Sequence, residues 1–161
     1  MLAAVDFLSL DSFLGLRPTA DRAVISIGDP DDDAPAALLE YRHTLRLQFL
    51  DLEPGDAATM PGAALFTLAQ AGQVVEFVRG LHTRTEPVRL VVHCRMGASR
   101  SAAVALIAHA VTGCAFSRWT EANYANRHVV RLGEEAAGAP IEIPEFFVPD
   151  TDDTFLPCLK I

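Results

Sequence analysis

Residues 88–111 place the tightest constraint on what this chain can fold into. They read VRLVVH, then CRMGASR, then SAAVALIAHAV. The first run is short, apolar and β-branched, the pattern of a buried strand. The last is alanine-rich and strongly apolar, the pattern of a helix buried nearly all round. Residues 94–100 alone join the two, with Gly97 at their centre. So short a connection predicts a strand–loop–helix unit with the loop at the end of the strand.

The flanking sequence supplies similar pieces. Residues 23–27 (AVISI) read as a buried strand that stops at Gly28-Asp29-Pro30 and an acidic, solvated turn at 31–33. Residues 36–41 suit a short helix. Residues 44–49 (TLRLQF) alternate apolar and polar, as in a strand with one half-buried face. Pro54-Gly55 marks residues 50–60 as a loop. Residues 61–81 are expected to be helical. Pro61 suits a first helical position, Leu65, Leu68, Gly72, Val75 and Val78 recur at roughly helical spacing, and Gly80 stands near the stop. Residues 116–132 hold one or two further helices, which Trp119 and Tyr124 are expected to pack onto the core. Beyond Gly138, four prolines (140, 144, 149 and 157) predict a surface tail.

Strands alternating with helices predict an α/β class with a central, partly parallel sheet flanked by helices. The chain has 161 residues and no internal repeat, which suits one domain over residues 1–161. Hydrophobic residues make up 50% and charged residues 21%, the balance of an ordinary globule. Lys plus Arg is 13 and Asp plus Glu is 21, so the net charge is −8. That argues against broad binding to nucleic acid or anionic membrane, while leaving room for a small basic pocket. No apolar run is long enough to span a bilayer, and the N-terminus carries Asp6 and Asp11 without an early cation. A cytoplasmic location is expected. The three cysteines, Cys94, Cys114 and Cys158, are odd in number and widely spaced, which fits neither a disulfide framework nor a zinc cage. No metal and no cofactor is expected.

The loop between strand and helix is suited to phosphate chemistry. Successive backbone N–H groups of Arg95, Met96, Gly97, Ala98, Ser99 and Arg100 can form a nest for an anion, and the following helix adds its positive end. Gly97 permits a turn or close approach that a Cβ would obstruct. Arg100 can grip two phosphate oxygens with its planar fork. The same field favours the thiolate of Cys94, a nucleophile placed for in-line attack on phosphorus. Ser101 can donate to the sulfur as it leaves, and His93 can tune it through hydrogen bonds.

VVHCRMGASRS closely resembles the His-Cys-x5-Arg-Ser/Thr signature of the cysteine-dependent protein tyrosine phosphatases. Its G-x-x-R-S ending is most similar to the compact dual-specificity group and its small bacterial relatives. The flanking pattern is similar over about residues 23–126, whereas the first twenty residues and the tail carry no such resemblance. The resemblance implies a protein tyrosine phosphatase-like fold. It also implies hydrolysis of phosphate monoesters through a phosphocysteine, on phosphorylated proteins. It further implies an aspartate upstream of the cysteine that protonates the leaving oxygen and then serves as base toward water. Asp51, at the end of the 44–49 strand, is favoured because a strand end fixes position. Asp56 is the alternative and Glu53 a weaker one. The Trp-Pro-Asp triplet of the larger members is absent.

Other activities use a similar loop. Phosphoinositide and RNA 5′-triphosphate phosphatases meet polyanions with several basic residues, whereas this loop offers only Arg95 beside Arg100. Sulfur transfer and arsenate reduction need no Arg-Ser pair, and the reductases need resolving thiols. A non-catalytic phosphoprotein-binding module usually lacks the cysteine or the arginine, and both are present here.

Overall fold

The first strand lies in the part of the chain with the weakest sequence signal. In the computed structural model, which describes residues 1–146, Leu2–Ser9 forms β1. Arg22–Gly28 is β2, His43–Gln48 is β3 and Val88–Cys94 is β4. The sheet order is β1-β4-β2-β3 and every pairing is parallel. The expectation of a partly parallel sheet is corrected on this point, and so is its count of strands. Each strand is followed by a crossing connection rather than a hairpin, so each returns in the same direction. β1 was hard to read because only Leu2, Val5 and Phe7 are buried, at irregular spacing on an edge strand.

The sheet has two unequal faces. Ala23, Ile25 and Ile27 of β2 and Leu90, Val92 and Cys94 of β4 join the larger core, under α3 (Leu68–His82), α4 (Arg100–Thr112) and α5 (Arg127–Ala137). The intervening residues Val24 and Val91 point the other way. There they meet Phe13 of the short α1 (Leu10–Leu14), with Leu38 and Tyr41 from the 3₁₀ turn Ala36–Glu40 and its end. α4 is central: residues 100 to 108 are all buried and only its end, from His109 onward, is partly exposed, which explains why its sequence shows no polar face. Gly113 ends it in the left-handed conformation, φ 66°.

The helix expected at 61–81 starts later, at Leu68. The stop signal at Gly80 is also overrun, since the cap is Thr83. Thr67 accepts from the Gln70 N–H at 3.2 Å, and Gln70 accepts from the Thr67 N–H at 3.0 Å. That capping box satisfies two end donors at once and outweighs Pro61 as a start signal. Residues 61–66 run as a connection instead, tied by the Leu50 N–H to the Ala64 carbonyl at 2.8 Å. Within the stretch expected as loop, Pro54–Ala57 makes one turn of helix, α2. Tyr124, expected on the core, is 63% exposed and meets Phe146 edge-on. Pro149, Pro157 and Cys158 lie outside the described residues. Among the described residues, no helix is long and apolar enough to cross a membrane.

Candidate active site

β4 delivers Cys94 to the C-terminal edge of the sheet, the edge where parallel α/β sheets place their ligands. The chain then turns through Arg95, Met96, Gly97, Ala98 and Ser99 and enters α4 at Arg100. Gly97 makes the turn at φ 70°, and a Cβ there would collide with the backbone of Leu8 and Ser9. Glycine is therefore required twice over, by conformation and by space. The Leu10 N–H donates to the Arg95 carbonyl at 3.3 Å, so the end of β1 braces the loop from outside.

The loop curls around the sulfur. The Gly97 N–H donates to Cys94 Sγ at 3.2 Å, and the Ser101 hydroxyl lies 3.2 Å from the same sulfur. Cys94 and Ser101 are both buried. The N–H groups of Met96, Ala98 and Ser99 donate to no described residue, which leaves them free as anion donors. Ser99 precedes the helix without capping it by its side chain. Its hydroxyl donates instead to Asp51 Oδ1 at 2.7 Å. Met96 is 78% exposed, at the rim.

Arg100 is buried and held from one end. Its Nη1 donates to Asp29 Oδ1 at 2.7 Å and to the Phe49 carbonyl at 2.7 Å. Its Nε is buried without a hydrogen-bond partner. Arg95, by contrast, points outward and lies 3.5 Å from Asp32 Oδ1 and 3.8 Å from Asp29 Oδ2.

The expected acids occupy different settings. Asp51 reaches the loop through the Ser99 hydroxyl, and its Oδ1 also accepts from Asn126 Nδ2 at 2.9 Å. Asp56 faces its own helix and accepts from the Glu53 N–H at 3.3 Å. Glu53 accepts from the Arg127 N–H at 3.1 Å, at the start of α5. Asp51 is thus the acid that hydrogen-bonds to the loop.

His93 is on the far side of the sheet from this cluster. It stacks on Phe13 with ring centroids 4.1 Å apart, and neither ring nitrogen has a hydrogen-bond partner among the described residues. Burial, helped by the nearby Arg46, pushes its pKa down to about 4. It lines a small cavity of about 180 Å³ with Arg46, Arg95 and Asp32. A hydrogen bond from its ring to Cys94 is not formed. A cavity of about 530 Å³ lies at the opposite edge of the sheet, by Asp21, His43 and Val88, remote from the loop. Among the described residues, no three His, Cys, Asp or Glu side chains converge as metal ligands.

Asp29 and Asn126 join this cluster without having been expected there. The rule that favoured Asp51, an acid just past a strand end, applies equally to Asp29 after β2. Asn126 gave no signal toward the site, since its pattern is that of a helix cap, a role it also fills by accepting from the Val129 N–H at 3.0 Å. Comparison with family models, with curated proteins and with solved structures finds no match to this chain.

Proposed function

We propose that this chain hydrolyses phosphate monoesters through a phosphocysteine, as a cysteine-dependent protein tyrosine phosphatase or dual-specificity phosphatase with the corresponding fold. The observation that carries this reading is the setting of Cys94. Its sulfur sits at the base of a loop closed by Arg100, with the Gly97 N–H and the Ser101 hydroxyl both at 3.2 Å.

The thiolate attacks phosphorus in line, forming the S–P bond as the ester P–O bond breaks. Arg100 and the loop N–H groups hold the equatorial oxygens, where charge spreads in the transition state. Asp51 gives its proton to the departing oxygen. In the second step it takes a proton from water, which attacks the phosphocysteine and releases phosphate and the thiolate. The Ser101 hydroxyl stabilises the sulfur as it leaves. Asp51 is preferred to Asp56 because it hydrogen-bonds to Ser99 in the loop, whereas Asp56 is engaged in capping α2. Arg95 is drawn aside by Asp29 and Asp32, which favours a phosphoprotein over a polyanionic lipid or RNA end.

Purified protein is expected to cleave an aryl phosphate without added metal and to be inhibited by vanadate. Cys94→Ser should lower turnover at least ~10⁴-fold while keeping phosphate affinity. Turnover that survives this substitution would sink the mechanism.

A further inference from the structure

The face of the sheet turned away from Cys94 carries a polar row near its C-terminal edge. Ser26 pairs in register with His93 on one side and with Arg46 on the other. Residues in register share a face, so the three side chains stand abreast across β4, β2 and β3. Ser26 and His93 are 0% and 1% exposed, and Arg46 is half-buried.

Only part of this row is satisfied. Arg46 Nη1 donates to the Ser26 hydroxyl at 2.9 Å, and Nη2 donates to the Asp32 and Asp33 carbonyls at 3.0 and 3.3 Å. The Arg46 Nε–H donates to no described residue. Neither ring nitrogen of His93 has a partner among the described residues. A neutral imidazole carries one donor and one acceptor, and folded proteins seldom leave such groups buried and unpaired. Phe13, stacked at 10° between planes, holds the plane of the ring.

His93 and Arg46 both line the cavity of about 180 Å³ behind the signature loop. That is well above the ~10–15 Å³ that one water needs. Leu10, Ile27 and Pro35 give the cavity an apolar wall. Its charges do not cancel at the buried end. Arg95 and Asp32 pair with each other at 3.5 Å, and Asp32 Oδ2 also accepts from the Asp29 N–H. Asp33 is exposed, where solvent and salt screen its charge. Arg46 makes no ion pair among the described residues. Burial, and then the Arg46 charge, keep His93 neutral, and no carboxylate offsets them at the ring. A cation beside unpaired ring nitrogens selects an anion, and the apolar wall selects one with a short hydrocarbon part. A carboxylate meets both conditions, since its two oxygens can accept from the Arg46 Nε–H and from a His93 N–H.

We propose that the cavity behind the signature loop binds a short-chain aliphatic carboxylate, held by Arg46 and His93. The site is on the opposite face of the sheet from Cys94, so it stands independently of the reading of residues 94–100 as an oxyanion site. A bound carboxylate favours the charged imidazole. The His93 titration midpoint, about 4 in the free protein, should therefore rise toward its ordinary value on saturation.

The test follows the His93 ring resonances by NMR as sodium propionate is added to the whole chain, with sodium chloride at equal ionic strength as the control. Propionate should shift them saturably, with a Kd of ~1–10 mM, and raise the titration midpoint. His93→Phe and Arg46→Gln, followed through the backbone amide of Ser26, should each weaken binding at least ~10-fold. If Arg46→Gln does not fold, His93→Phe, which keeps a ring against Phe13, decides alone. The proposal is overturned if the His93 ring is unmoved at about 100 mM propionate, or if chloride reproduces the shift. Undiminished binding in His93→Phe overturns it as well. So does loss of the propionate shift when vanadate is added, which would place propionate in the signature loop. A shift that persists beside vanadate supports the cavity site, whether or not the chain turns over any ester.

Discussion

His93 and Cys94 are neighbours in one strand, yet they face different worlds. Cys94 looks toward α4, where its Sγ accepts from the Gly97 N–H and donates to the Ser101 hydroxyl. His93 looks toward α1 and is met by the flat face of Phe13 and by no donor or acceptor among the described residues. The first face has three helices and the larger core; the second has one short helix and a 3₁₀ turn. One face carries polar groups arranged around the Cys94 sulfur. The other tolerates a polar ring by keeping it neutral, because burial penalises the charged imidazole. Adjacent positions can thus meet quite different surroundings, since side chains alternate across a strand.

This contrast predicts that substitutions on the front face strike turnover and those on the back face strike stability. After Cys94→Ser, the largest loss of turnover belongs to Asp51→Asn, which should lower kcat ~10²- to 10³-fold with little change in melting temperature. Asp56→Asn, removing only a helix cap, should cost about 1 kcal/mol or less and leave kcat within a few-fold. A greater loss of kcat in Asp56→Asn than in Asp51→Asn would reverse the assignment of the acid. Next comes Phe13→Ala, expected to destabilise by about 3–5 kcal/mol in a urea titration. Its kcat per folded molecule, measured in the cold, should fall less than that of Asp51→Asn. A collapse of turnover there would show that the back face sets the loop geometry, through the Leu10–Arg95 contact.

A further effect on the back face concerns pH. An unfolded histidine titrates near 6.5, while His93 in the folded chain does so at about 4. Between those values the unfolded state binds the extra proton and the native state does not. Its contribution is therefore complete above about pH 6.5 and is lost as pH falls toward 4, by up to about 3 kcal/mol. His93→Phe, which keeps an aromatic ring against Phe13, should flatten the loss of stability over that window. Parallel stability–pH curves for wild type and variant would show that His93 is not the group responsible.

Several elements were legible in the residues themselves. The 88–111 unit appears as strand, loop and helix because each half is uniformly apolar and Gly97 interrupts them where a left-handed turn is needed. Asp51 was legible as a strand-end acid. β1 was not, because an edge strand with irregular burial shows neither clean alternation nor a continuous apolar run. The start of α3 differs from the expected one because Pro61 is compatible with a helix start but does not compel one, whereas the Thr67–Gln70 box satisfies real donors.

By itself the sequence determined the α/β class and the strand–loop–helix form of residues 88–111, since these depend on side-chain type at short spacing. Tertiary structure decided what lies opposite the loop. Asp29, Asp51 and Asn126 come from three separate segments, brought together only when parallel strands end at one edge of the sheet. It also decided that the His93 ring faces away from the sulfur, because the face a residue takes is fixed by strand pairing and by what covers each side.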